Sequence, residues 1–183
     1  MYVNKQIRLA NWDYRSSAAY FITICTQDRT HYFGKITDGK MNLSQLGILA
    51  DVFWHEIKNH AKDIELGEFV VMPNHIHGIL ILKNSSSPVD SGSAPVGLGH
   101  ALNQQVLTKD FRFQNIGKNS VSSIIGSYKS AVSKHAHRLG YEFHWQRRFH
   151  DHIIRDDRAF RNISEYIRKN PEKSERRHRQ KSV

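Results

Sequence analysis

Two histidines, His75 and His77, stand two residues apart in the run Val70-Val71-Met72-Pro73-Asn74-His75-Ile76-His77-Gly78-Ile79-Leu80-Ile81-Leu82. The run is β-branched, breaks at Pro-Asn, and is then almost wholly apolar, which is the pattern of a buried strand. Alternate side chains of a strand share a face. The two imidazoles therefore project side by side, while Ile76 points into packing on the other face. Burying two imidazoles without partners is costly. Ordinary hydrogen bonds can meet that cost, and so can a single metal ion, for which histidine is the commonest ligand. Two further His-x-His triplets invite comparison. His135 and His137 fall in a helical stretch, where a spacing of two turns side chains about 200° apart and works against a shared ion. His150-Asp151-His152 lies beside a strand and competes with the first pair.

Other residues carry chemistry of a different kind. Trp145-Gln146-Arg147-Arg148-Phe149 interleaves aromatic and basic side chains, a composition suited to stacking on bases and holding phosphates. Tyr166 belongs to a helical stripe with Phe160, Ile163 and Ile167, which by pattern alone reads as core packing. Asn170 follows Tyr166 by four residues, and on a continuous helix the two would share a face.

The elements that position these residues are readable from periodicity. Residues 20–26 form a strand by their β-branched and aromatic content, and His31-Tyr32-Phe33-Gly34 continues or pairs with it. A helix starts at Asn42, with Gln45 as a capping-box partner, and runs to about His60 on the apolar face of Leu46, Leu49, Val52, Phe53 and Ile57. Strands at 64–72 and 75–82 turn about Pro73-Asn74. Residues 84–105 are rich in Ser, Gly and Pro and read as a flexible loop inside the domain. A second helix covers 120–139, stopped by Gly140. A strand at 152–155 and a third helix at 157–169, ending before Pro171, complete the chain. The order β-α-β-β-α-β-α implies an α+β class: an antiparallel sheet with packed helices, of ferredoxin-like type. The basic tail over 173–183 reads as frayed or disordered, a basic arm.

The 183 residues suit one domain, assigned to 1–172 with the tail beyond it. Hydrophobic residues make up 39% and charged ones 24%, which places the chain among soluble globular proteins. No run reaches the ~18 apolar residues of a membrane helix, so no membrane partner is expected. The lone cysteine, Cys25, excludes an internal disulfide, and with no signal peptide in view a cytoplasmic location is expected. A formal charge of +10 attracts polyanions, nucleic acid above all.

Four stretches together resemble the single-tyrosine HUH transposases, including the REP-associated tyrosine transposases. They are Tyr20-Phe21-Ile22-Thr23-Ile24-Cys25-Thr26-Gln27-Asp28-Arg29, Met72-Pro73-Asn74-His75-Ile76-His77-Gly78, Trp145-Gln146 with His152-Ile153-Ile154-Arg155, and Tyr166-Ile167-Arg168-Lys169-Asn170-Pro171. The likeness extends from about Tyr14 to Lys173. It implies the RRM-like HUH endonuclease fold and metal-dependent cleavage and rejoining of single-stranded DNA through a 5′-phosphotyrosine. On that resemblance His75, His77 and Asn170 are the metal ligands, for Mg²⁺ or Mn²⁺, and Tyr166 is the nucleophile. Trp145, Gln146, Arg147, Arg148, His152, Arg155, Lys169 and Lys173 are the expected DNA contacts. A phenol is a weak acid near neutrality, so positive charge must lie close to it, and Arg168, Lys169 and Lys173 are the candidates. Single-stranded or hairpin DNA is the implied partner, and a homodimer is allowed. Asp151 stands where the family often has Glu, and Ser174 where many members have Trp. A basic single-strand nucleic-acid-binding module with a structural or vestigial metal site is the rival reading. A metal hydrolase whose nucleophile is water is a third.

Overall fold

The computed structural model describes residues 17–83 and 119–181. The flexible loop expected at 84–105 lies outside the described residues. In chain order the elements are β1 (Ala18–Cys25), β2 (Gly34–Thr37), β3 (Lys40–Leu43), α1 (Gln45–His60), β4 (Ile64–Met72), β5 (His75–Leu82), α2 (Val121–Arg138), β6 (His150–Ile154), α3 (Asp157–Arg168) and α4 (Asn170–Lys181). Four strands form one sheet in the order β4-β5-β1-β6, each neighbouring pair antiparallel. With helices in the two crossovers this is the ferredoxin-like arrangement expected from the element order.

The sheet has two covered faces, and strand alternation decides which residues go where. Tyr20, Ile22 and Ile24 of β1 and Ile76, Leu80 and Leu82 of β5 pack with α1 and α2 in the main core, among Ala50, Trp54, Ile125, Tyr128 and Val132. Ile79 and Ile154 point the other way and pack with Ile167 of α3, joined by Phe21, Phe160 and Ile163. His75 and His77 share parity with Ile79, so they lie on the α3 face.

Gly78 is where the main core comes closest to the sheet. A Cβ there would stand 2.3 Å from Cζ2 of Trp54, whose fully buried ring stacks on Phe69 at 4.6 Å and 8°. We expect Gly78→Ala to destabilise the fold by about 1–3 kcal/mol through overpacking. Thermal denaturation measures this, and an unchanged Tm would show that Trp54 swings aside at no cost.

Three features depart from expectation. Residues 34–43 form a separate hairpin rather than extending β1, with Gly34 opposite Leu43 and Thr37 opposite Lys40. Its two-residue loop, Asp38-Gly39, has both φ angles positive (51° and 71°), the geometry of the turns that fit strand twist. Helix α1 is capped by Ser44, whose Oγ accepts from Gly47 N at 3.1 Å. Asn42, expected to start it, is paired with Lys35 in the hairpin. The tail expected to fray forms α4, which packs against β2, β3 and β4. The third helix ends near Pro171 as expected. Lacking an N–H, Pro171 cannot continue the ladder of α3 but is well suited to the first turn of a new helix.

Candidate active site

The site is built on β1 and β5. Their register sets Thr23 opposite His77 and Cys25 opposite His75. The two imidazole rings stand 4.6 Å apart between centroids, nearly perpendicular, and His77 is only 6% exposed. Each ring is held through Nδ1. Thr23 Oγ1 lies 2.8 Å from His77 Nδ1, and Asn74 Oδ1 lies 2.7 Å from His75 Nδ1. Coordination, if it occurs, falls to Nε2 of each, with Nδ1 oriented by an outer partner as metal-binding histidines usually are.

Burial and neighbouring positive charge keep both rings neutral. Desolvation, then Arg29 and His31, lower the pKa of His75 to about 4. Desolvation, then His75 and Arg29, lower that of His77 to about 3. At neutral pH neither ring is an imidazolium, so a metal would not compete with that charge. Burial pushes the Cys25 thiol up, against the opposing pull of Arg29. Among the described residues no group of three or more His, Cys, Asp or Glu is placed to hold a metal ion. Among the described residues, a cation here would draw on two imidazole nitrogens and on oxygen donors other than carboxylates.

Helix α3 brings Tyr166 over this pair. Asp156 caps the helix, its Oδ1 accepting from Ala159 N at 2.7 Å, and Ile167 anchors it to the sheet. Tyr166 lies at the edge of the apolar stripe, 36% exposed. Its ring is 5.5 Å from the His77 ring and meets Phe21 edge-on at 6.1 Å and 89°. Of the three cations expected to assist it, Lys173 has its Nζ 5.9 Å from the Tyr166 ring centroid. Lys169 is engaged with Glu165 at 2.5 Å, which also lowers the Glu165 pKa. Arg168 faces Glu68 at 3.8 Å.

Asn170 is buried at the start of α4. Tyr166 and Asn170 straddle the break at Lys169 rather than sharing one continuous helix. The ring and hydrogen-bond contacts of the imidazole pair come from Phe21, Thr23, Asn74 and Tyr166, not from Asn170.

The expected DNA contacts divide into two groups. Gln146, Arg147, Arg148, His152, Arg155, Lys169 and Lys173 are exposed. His152 sits opposite Phe21 and His150 opposite Thr23 on the sheet, so the two histidines of this rival triplet share the face of His75 and His77, one strand further out. Trp145 is instead a packing residue. Its ring lies 4.9 Å from Phe143 and 5.3 Å from Phe33, and its Nε1 donates to Lys129 O at 3.2 Å. Backbone bonds from Gln27 N to His144 O and from Gln146 N to Cys25 O fasten this segment to the end of β1. Between them lies a cleft of about 390 Å³ lined by Thr26, Gln27, Asp28, Arg29, Trp145, Gln146 and Arg147. His135 stacks on Phe53 and His137 reaches Phe143 O at 3.0 Å, so those two serve α2 packing.

Sequence reading missed Thr23, Asn74 and Arg29. Asn74 was in plain view inside Pro-Asn-His, but Thr23 acquires its partner only through strand register, which a sequence does not display.

No family model matches the chain. An uncharacterized protein from Haemophilus influenzae (strain Rd) is 34% identical over 168 residues, covering 91% of this chain and 87% of its own. Among solved structures, a REP-associated tyrosine transposase bound to a REP hairpin superposes with a TM-score of 0.57 at 18% identity, over 91% of this chain and 74% of that one. The chain thus belongs to the same family as the Haemophilus influenzae protein, and its fold is that of a REP-associated tyrosine transposase.

Proposed function

We propose that the protein is a metal-dependent DNA strand transferase that cleaves and rejoins single-stranded DNA through a 5′-phosphotyrosine on Tyr166. The observation that carries this reading is the half-exposed phenol ring 5.5 Å from a buried, neutral histidine pair. A core aromatic would be covered, and a structural histidine pair would not need a phenol at its mouth. Single-stranded or hairpin DNA is the substrate class, in keeping with the +10 charge and the exposed Arg147, Arg148 and Arg155. The solved relative in fold was itself bound to a REP hairpin.

The donor set fits a divalent cation such as Mg²⁺ or Mn²⁺, held by His75 and His77 with the Asn170 amide as a further candidate. When bound, the ion would polarise a phosphate oxygen and orient the scissile bond. Tyr166 Oη forms the new bond to phosphorus as the bond from phosphorus to the 3′ oxygen breaks. The phenol proton leaves to solvent, and the departing oxygen takes up a proton to become a free 3′-hydroxyl. One phosphodiester replaces another, so rejoining needs no external energy. Lys173, beside the ring, stabilises the charge that develops on the phenol oxygen.

The rival is a single-strand-binding module with a structural or vestigial metal site. Incubation with end-labelled single-stranded DNA and Mn²⁺, followed by denaturing electrophoresis, separates the readings. Strand transfer yields a protein–DNA adduct and a cut strand. Binding alone yields neither, and a water nucleophile yields a cut without an adduct. Binding itself should weaken steeply with salt, by about 0.7 in log affinity per log unit of salt for each phosphate contact. A flat dependence would remove the basic surface from the interface.

A further inference from the structure

Asn74 stands at the turn between β4 and β5, and its side-chain amide spans two groups of fixed character. Its Nδ2 donates to the Arg29 carbonyl at 3.1 Å. A carbonyl only accepts, so the NH₂ end of the amide must face it. The other end, Oδ1, is therefore the one 2.7 Å from His75 Nδ1. An amide oxygen also only accepts, so His75 Nδ1 must carry the proton and donate. In a neutral imidazole that leaves the lone pair on Nε2.

The turn that supplies the Arg29 carbonyl is itself unusual. Asp28 and Arg29 both have positive φ, 52° and 57°, although neither is glycine. Such geometry persists where surrounding bonds over-determine it. Those bonds are present: Thr26 N donates to Asn74 O at 3.0 Å, Thr26 Oγ1 also lies 2.9 Å from that carbonyl, and Phe33 N donates to Pro73 O at 3.0 Å. The exit of β1 and the Pro73-Asn74 turn are thus tied together on both sides of the amide.

We infer that Asn74 is a positioning residue that fixes the His75 tautomer, holding Nε2 unprotonated before any metal arrives. His77 differs. Its Nδ1 partner is the Thr23 hydroxyl, which can donate or accept, so its tautomer is not fixed by that bond. The pair is asymmetric: one ligand is set in advance, and the other adapts by rotation of a hydroxyl. The inference rests on the metal reading of the pair for its purpose, but its test does not depend on activity.

The test is ¹⁵N NMR of imidazole nitrogens in the metal-free protein, with a Mn²⁺ titration alongside. Wild type should show His75 as the single Nδ1–H tautomer. Asn74→Asp gives up the donation to the Arg29 carbonyl but keeps an acceptor oxygen for His75, and should retain that tautomer and bind Mn²⁺ more tightly than the Ala variant. Asn74→Ala removes the acceptor and should give mixed tautomers and a loss of about 10–100-fold in Mn²⁺ affinity. A residue needed only for turn geometry would leave the tautomer unchanged in the Ala variant or fail equally in both. An Nε2–H tautomer at His75 in the wild-type protein overturns the inference with no variant required. If the tautomers behave as stated yet no DNA adduct ever forms, the strand-transfer reading falls and the assignment of Asn74 stands.

Discussion

Tyr166→Phe should yield a protein that folds and binds DNA as wild type does but forms no adduct and cuts no strand. The substitution removes one oxygen. The ring stays, and with it the contacts to His77 and Phe21 that hold it over the site. Because the side chain is 36% exposed, loss of its hydroxyl leaves no sealed polar atom behind. Melting temperature should therefore move little. Tyr128→Phe should behave in the opposite way. Its hydroxyl is buried and donates to Ala50 O at 2.9 Å, and burial raises its pKa further, with Asp51 adding to the effect. A phenol so enclosed reaches no phosphate. Its loss removes one buried hydrogen bond to the Ala50 carbonyl, costing about 0.5–1.5 kcal/mol of stability, while strand cleavage should persist. The two variants thus exchange phenotypes: one loses chemistry and keeps stability, the other the reverse. If Tyr128→Phe is the inactive one, the nucleophile is misassigned. Peptide mapping of the adduct gives a direct check, since the DNA-bearing fragment must contain Tyr166.

The second large effect concerns the imidazoles. Replacing either His75 or His77 by Ala removes a proposed ligand whose Nδ1 is already held, by Asn74 in one case and Thr23 in the other. Losing the ion's stabilisation of the transition state, several kcal/mol, means cleavage slower by ~10³-fold or more. DNA affinity measured by fluorescence anisotropy should stay near wild type, because the basic surface is untouched. Cleavage at full rate in excess chelator would refute the metal requirement for both residues at once.

Much of this architecture was legible in the sequence because it depends on period. The run from Val70 to Leu82 states its own alternation, so the shared face of His75 and His77 follows from spacing alone. The α3 stripe of Phe160, Ile163 and Ile167 is equally plain, although only tertiary placement shows Tyr166 at its edge rather than under it. Local turn chemistry was available but underused. Asp38-Gly39 is a strong hairpin signal, and Ser44 a better cap than Asn42 once that hairpin claims Asn42. Pro171 was read as an end, whereas the same missing N–H and fixed φ also open a helix, which turned a supposed frayed arm into α4. Trp145 shows the limit of composition. Aromatic beside basic suggests base stacking, yet the ring faces Phe33 and Phe143 in the core. Thr23 and the Arg29 carbonyl were invisible because pairing register is a property of the folded chain.

The central position of β1 bears on how the molecule comes into being. Thr23 is paired on one side with His77 and on the other with His150, contacts widely separated along the chain, and closing such loops slows folding. A chain emerging from its N-terminus can complete the β1–β5 pairing, and so the imidazole pair, once Leu82 is available. Tyr166 arrives later, with α3, which follows β6 in the chain and packs on the sheet. A nascent or truncated chain can therefore hold the histidine pair while lacking the group that would break a DNA strand. On the proposed reaction, the capacity to cut follows the histidine pair during synthesis.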